Sequence, residues 1–185
     1  MILMNFGNSI KDSKRAMNKN KVLFFLSVLY RNDLFSDSKL GELCSNLIDI
    51  GPSYVAPVES MQEYYSKEMG NNLKRVLVFE KCPLERLKLV GLKKLSFKVE
   101  ESFRAGGRTA NIDPGYLGLE HVVLSSFKPY AHRMSLSERV YGELELIYER
   151  KEWITLPWTY PDYAACETQQ IFTDERTRLK KAIRS

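Results

Sequence analysis

"KVLFFLSVLY", residues 21–30, is an unbroken apolar run of aromatic and branched side chains. A run of this kind is too short to span a bilayer and suits a strand buried on both faces. It predicts a central core strand with cover on each side. It leads into "RNDLFSDSK", which offers no small-residue cleavage site, so it does not read as a signal peptide. The chain has no internal repeat and no low-complexity segment.

Outward from that strand the periodicity changes. In "SDSKLGELCSNLIDIG", Leu40, Leu43, Leu47 and Ile48 fall at helical spacing, with Asp37 or Ser38 to cap the start and Gly51 to close the end. "SYVAPVESM" reads as an extended piece that Pro57 places near an edge. "EYYSKEMG" supplies two helical turns stopped by Gly70, and "LKRVLVFEK" (73–81) is a second strong strand. "PLERLKLVGLKKLSFKVEESFR" predicts a helix starting at Pro83, with Leu92, Leu95, Val99 and Phe103 on one face. Gly91 weakens that helix, and Gly106-Gly107 ends it.

"YLGLEHVVLSS" is a further strand. "HRMSLSERVYGELELIYERKEW" reads as two antiparallel strands, with Tyr141, Glu143 and Glu145 alternating against Leu144 and Ile147. From Ala164 onward, Phe172, Leu179 and Ile183 predict a docked terminal helix. The order of elements gives an α+β class: a mostly antiparallel sheet in a ferredoxin-like βαββαβ arrangement, with an added C-terminal hairpin and terminal helix. Residues 1–20 read as a flexible basic N-terminal extension, 21–175 as a single domain, and 176–185 as a basic helix end. The stretch before Met17 reads as loose chain or as residues ahead of the translated start.

The composition is that of a globular protein, 44% hydrophobic and 28% charged, with a formal net charge of +5. That excess sits at the ends. Lys11, Lys14, Arg15 and Lys19 face Asp12 alone, and Arg176, Arg178, Lys180, Lys181 and Arg184 face Asp174 and Glu175. Between the ends the charges nearly cancel, which favours solvated tails over a nucleic-acid footprint. Cys44, Cys82 and Cys166 are odd in number and far apart, which indicates reduced thiols and a cytoplasmic setting rather than a disulfide framework. No CxxC or CxxH spacing offers a metal set. There is no phosphate loop, no dinucleotide fingerprint and no nucleophile elbow.

Four segments carry the residues that chemistry would use. In "NIDPGYL" (111–117), Asp113-Pro114-Gly115 suits a type II turn closed by the Asp113 carboxylate. Read as a site instead, Asn111 and Asp113 point to one side with Ile112 buried between them. In "YAHRMSL", His132 and Arg133 open a strand. Adjacent in sequence, they would face opposite ways, so only one would line a given pocket. "EWITLPWTYPDY" crowds two Trp, two Tyr, two Pro and two acids into a rigid irregular arm, either a seal on the core or a stacking wall with Asp162 as polar handle. Tyr160–Pro161 is a candidate cis bond. In "EYYSKEMG", Tyr64 pairs with Glu68 and Tyr65 with Met69 one turn apart, one pair packing and the other exposed.

The ordered set "YYSKEMG", "LKR", "NIDPGYL", "HRMSL", "YGELELIY" and "LPWTYPDY" resembles the prokaryotic family catalogued as domain of unknown function 4416, over about residues 20 to 175. The resemblance implies a small single-domain cytosolic protein. Its signature positions fall here on Tyr64, Tyr65, Glu68, Asn111, Asp113, His132, Arg133, Trp158, Tyr160, Asp162 and Tyr163. Some members carry an automated GTP-binding label, which the absent phosphate loop and N-K-x-D string do not support here. This chain departs from the family pattern in "GLKKLSFKVEE", which lacks a Thr-Asn-Leu-Glu-like run, and in Ser137-Glu138-Arg139, where a glycine-rich turn is usual.

The expected function is a pocket for a polar or anionic small ligand, a nucleotide or metabolite, lined by the NIDPGYL, HR and WTYPDY segments. Its ligand residues would be Tyr64, Glu68, Asn111, Asp113, Arg133, Trp158, Tyr160 and Asp162. If it is catalytic, Asp113 and His132 are the candidates. No cofactor, reaction or oligomeric state is specified by the residues, and no membrane association is expected. The alternatives, in order, are a structural or protein-interaction domain without a small ligand, and an RNA-binding module stacking bases on its sheet.

Overall fold

The computed structural model describes residues 20–58, 65–104 and 107–184. The N-terminal extension before Asn20, residues 59–64 and the first glycine of the 106–107 pair lie outside them. Among the described residues nine strands form one sheet in which every pairing is antiparallel, an α+β architecture. β1 (Lys21–Arg31) sits at its centre, between β3 (Leu73–Glu80) and β5 (Ala110–Leu117). The order continues outward from β3 to the edge strand β2 (Ile50–Ala56). From β5 it runs through β6 (His121–Ser126) and β8 (Val140–Glu149) to β7 (Arg133–Ser137). The short β4 (Leu84–Glu85) pairs with the start of β1, and β9 (Glu152–Thr155) pairs with the far half of β8.

Both faces of β1 are covered, as its unbroken apolar run requires. Leu26, Val28 and Tyr30 pack under α1 (Asp37–Ser45) and α2 (Leu89–Ser102). Leu23 and Phe25 lie on the opposite face, against Phe79, Tyr163, Phe172 and Leu179. Phe172 and Leu179 belong to α4 (Cys166–Ala182), which follows the short α3 (Pro161–Ala164). The basic end of α4 is not simply solvated. Arg178 donates to the carbonyls of Glu80 and Lys81 at 2.8 and 2.7 Å, and Arg176 donates to that of Leu119 at 2.7 Å.

Several local expectations change. α1 is capped by Ser36, whose hydroxyl accepts from the Lys39 amide, and it ends at Ser45. Gly51 instead lies in β2, where a Cβ would sit 3.0 Å from Lys81 Cα. α2 begins six residues beyond Pro83, after β4 and a 3₁₀ turn at Arg86–Lys88. Its inward face carries Lys93 and Ser96 as well as Leu89 and Val99, whereas Leu95 is exposed. The C-terminal region forms three strands, β7, β8 and β9, rather than two. Arg139 turns between β7 and β8 at φ 64°, in the left-handed region where glycine is the cheaper residue. The described peptide bonds, Tyr160–Pro161 included, are trans.

The largest correction concerns "NIDPGYL", which is strand and not turn. Asp113, Pro114 and Gly115 pair in register with Ser27, Leu26 and Phe25. Proline is tolerated because its carbonyl, and hence its nitrogen, faces away from β1. That carbonyl accepts from the Ser125 hydroxyl on the β6 side. Gly115 is needed for close approach rather than for a positive φ. A Cβ there would lie 2.4 Å from the Phe25 ring and 2.6 Å from the Val123 carbonyl oxygen.

Candidate functional site

β5 and β6 pair through three residues each, with Gly115, Tyr116 and Leu117 opposite Leu124, Val123 and Val122, and then part. Beyond that point Ile112 still presents an amide and a carbonyl on the side away from β1. α2 supplies the partners that a strand would otherwise provide. The Ile112 amide donates to the Glu100 carboxylate at 2.8 Å, and the Lys93 ammonium donates to the Ile112 carbonyl at 3.4 Å. Two buried backbone groups are thus satisfied by side chains. The strands stand apart and leave a cleft of about 530 Å³.

Lys93 has a second partner, Asp113, at 3.0 Å. Asn111 donates to the other Asp113 oxygen at 2.6 Å and itself accepts from Arg108. Burial pushes the Asp113 carboxyl up, but the charge and hydrogen bond of Lys93, the Asn111 amide and the charge of Arg75 outweigh it. Asp113 is therefore held ionised, below the usual carboxylate range. Arg108 also reaches Glu68 at 3.0 Å and Glu100 at 3.4 Å. Burial pushes the Glu100 carboxyl upward against the Ile112 amide and the nearby cations. Asn111 and Asp113 do point the same way, but the Asp113 carboxylate binds Lys93 and Asn111 instead of closing an Asx turn.

The other wall comes from β6, β7 and the arm after β9. Arg133 pairs across the strands with Glu143, donating at 3.0 Å from Nε. It also donates to the Ser126 hydroxyl at 3.0 Å and to the Tyr160 hydroxyl at 3.0 Å. His132 contacts the other oxygen of the same Glu143 carboxylate. The two residues therefore clasp one acid rather than facing opposite ways. His132 lines neither cavity, and Trp158 stacks on it with centroids 4.8 Å apart and rings within 6° of parallel. Trp158 donates its indole N–H to the Leu144 carbonyl at 2.8 Å. Its role in the structure is support, not lining.

Beneath the cleft lies a second cavity of about 40 Å³. Tyr65, Asp113, Ser126, Arg133 and Tyr160 line both, so the two meet at those residues. Its floor holds Arg75 and Asp162, an ion pair 7% and 2% exposed. Arg75 Nε and Asp162 Oδ1 have no hydrogen-bond partner among the described residues. Burial, followed by the charge of Glu143, pushes the Tyr160 phenol up to about 12.

Next to this floor, a register shift against β6 leaves Glu145 without a strand partner there. The arm uses it. Thr159 donates to the Glu145 carbonyl, and the Tyr160 amide donates to its carboxylate at 3.2 Å. Glu143 and Glu145 are 2% and 0% exposed. Burial, with Glu143 adding to it, pushes the Glu145 carboxyl up to about 8.

Of the sequence-selected ligand residues, Glu68, Asn111, Asp113, Arg133 and Tyr160 meet at the cleft. Asp162 lies in the inner cavity. Tyr64 falls outside the described residues; its neighbour Tyr65 lines both cavities, and Met69 is buried at 2% exposure. Lys93, Glu100, Arg108 and Arg75 were not among the sequence candidates. The signal available for Lys93 and Glu100 was their helical phase, which puts them on the face of α2 that carries Leu89 and Val99. Among the described residues, no group of three or more His, Cys, Asp or Glu side chains is placed to hold a metal ion. No described helix is long and apolar enough to cross a membrane.

A search of the curated proteins found no match, and a search of the solved structures found none. A family model described as Domain of unknown function (DUF4416) matches residues 20–179. That span contains every segment that builds the cleft, from the central strand to most of α4, and the chain belongs to this family.

Proposed function

We propose that the cleft between β5 and β6 binds a small polar ligand carrying an anionic group, a nucleotide or metabolite. One observation carries this reading: the β5–β6 ladder is given up after three pairs, and charged side chains from α2, β5 and β7 converge on the opening. Its volume, about 530 Å³, suits a small-molecule site. The ionised Asp113 and the Arg133 guanidinium are held by neighbours, so the site is organised before anything enters it.

The framework that supports it follows a ferredoxin-like plan on our reading. The strand order β2-β3-β1-β5 and the placement of α1 and α2 on one face support that plan. The three free thiols are in keeping with a cytoplasmic setting.

The test is a thermal-shift screen of the full chain with nucleotides, sugar phosphates and organic acids. A ligand at a hundred times its Kd stabilises by about 2.7 kcal/mol, a rise on the order of 5–10 °C for a chain of this size. The control reverses two exposed cleft cations, Lys128→Glu with Arg104→Glu. Loss of the response in that variant is expected. A ligand whose response is unchanged there, or a screen with no response at all, would sink the reading.

A further inference from the structure

We propose that the ligand of this cleft enters with a paired N–H donor and acceptor edge, an amino-substituted nucleobase or carboxamide, seated on Arg75 and Asp162, and leaves its anionic group at the mouth. This inference rests on the cleft being a ligand site and adds the ligand's chemistry and direction.

The two cavities differ in the charge they own. At the mouth, Lys93, Arg104, Arg108 and Lys128 outnumber Glu68, Glu100 and Glu101. In the inner cavity, Glu143 and Asp162 outnumber Arg75. Asp113 and Arg133 line both and cancel. The potential therefore rises from floor to mouth, and an anion at the floor would be opposed by two carboxylates. An anion is favoured where the cations gather.

The floor asks for something specific. Arg75 Nε and Asp162 Oδ1 are more than nine-tenths buried and lack hydrogen-bond partners among the described residues. Burying such groups unpaired is unfavourable, and a ligand that pairs them recovers that loss. They belong to one ion pair, closed through Arg75 Nη1 and Asp162 Oδ2, so the unpaired donor and the unpaired acceptor are carried by two side chains in contact. Their complement is a group with an acceptor beside an N–H. Adenine and cytosine carry that pattern on their base-pairing edges, as does a primary carboxamide. The inner space of about 40 Å³ has room for roughly three water molecules. That admits an edge and not a whole ring. The ring would lie where the cavities meet, beside Tyr65 and Tyr160.

The experiment measures Kd by calorimetry for four probes on the full chain: adenosine 5′-monophosphate, cytidine 5′-monophosphate, purine riboside 5′-monophosphate and adenosine. Purine riboside monophosphate keeps the ring acceptor and the phosphate but lacks the amino donor. Adenosine keeps the edge but lacks the anion. Either loss should weaken binding on the order of ten- to a hundredfold. Lys128→Glu with Arg104→Glu should weaken the monophosphates and leave adenosine nearly unchanged.

Asp162→Asn should erase the preference for the amino group. If that variant fails to fold, the probe series on the native chain still decides. Equal binding of adenosine and purine riboside monophosphates overturns the floor assignment while leaving the cleft a ligand site. Failure of both amino-bearing monophosphates, when some other anion in the screen binds at the cleft, also overturns it. Absence of binding by every probe and every screened compound overturns the cleft reading itself.

Discussion

The two halves of β5 solve one problem in two ways. From Gly115 to Leu117 the strand pairs with β6 so closely that residue 115 has no room for a side chain. From Ala110 to Asp113 the same edge has no strand neighbour, and Lys93 and Glu100 stand in for the missing ladder. The closed half tolerates only small changes of shape. The open half depends on charge, and a charged substitute for a ladder leaves space beside it. The contrast shows how a sheet can hold a polar cleft next to its central strand without exposing unpaired backbone.

The largest effect is expected where the closed half is attacked. Gly115→Ala places a Cβ against the Phe25 ring and a backbone oxygen. The loss should be about 3 kcal/mol or more, read as a fall in the urea midpoint with an unchanged slope. A loss under about 0.5 kcal/mol would show that the strands can part freely.

The open half should respond to charge rather than size. Lys93→Met keeps much of the side-chain volume but strands the Asp113 carboxylate and the Ile112 carbonyl. Lys93 is 5% exposed, yet the Asp113 side chain is 29% exposed, so solvent limits the cost to about 2 kcal/mol. Asp113→Asn alone should cost a similar amount, because a buried ammonium loses its partner. The double variant should recover at least half of the summed loss, as a double-mutant cycle would measure. Strict additivity would mean that the pair is not coupled.

Glu145 extends the contrast to pH. Its carboxyl is raised to about 8 in the folded chain, against about 4.3 when unfolded. The folded state therefore holds the proton while the unfolded state releases it. The contribution is complete below the unfolded value and is lost as pH rises to about 8, by up to about 1.4 kcal/mol per pH unit. Glu145→Gln should flatten the decline in stability between about pH 5 and 8. An identical slope in wild type and variant would refute the buried proton.

The smallest effect belongs to Arg104→Ala. Arg104 and Glu101 are 54% and 41% exposed, and such pairs are worth well under about 1 kcal/mol. A melting temperature within about 2 °C of wild type is expected.

The sequence made the framework legible where periodicity was strong. The apolar run at 21–30 could only be a core strand, and Phe172 and Leu179 marked the docked helix by spacing alone. It misled at Asp113-Pro114-Gly115, because local turn chemistry and strand tolerance use the same residues. Pairing with β1, together with an edge that needs no amide from residue 114, decided for strand. Asn111, Asp113 and Arg133 could be named from their types. Lys93 and Arg75 could not, because a lysine among helix polar residues and an arginine in a strand look solvent-facing until tertiary packing turns them inward. Glu143 and Glu145 were hidden for the same reason.

The clamp between α4 and the rest of the sheet also sets an order in time. Arg178 holds carbonyls 97 and 98 residues earlier in the chain, and Glu175 accepts from Tyr54, 121 residues away. During synthesis, every strand of the sheet leaves the ribosome before α4 does. Leu23, Phe25, Phe79 and Leu117 thus wait for Phe172 and Leu179. A nascent chain paused before residue 166 carries an assembled or assembling sheet with one bare aromatic face, the species most open to self-association. Closing contacts this distant in sequence also slow folding, so this face of the sheet stays bare until α4 packs on it.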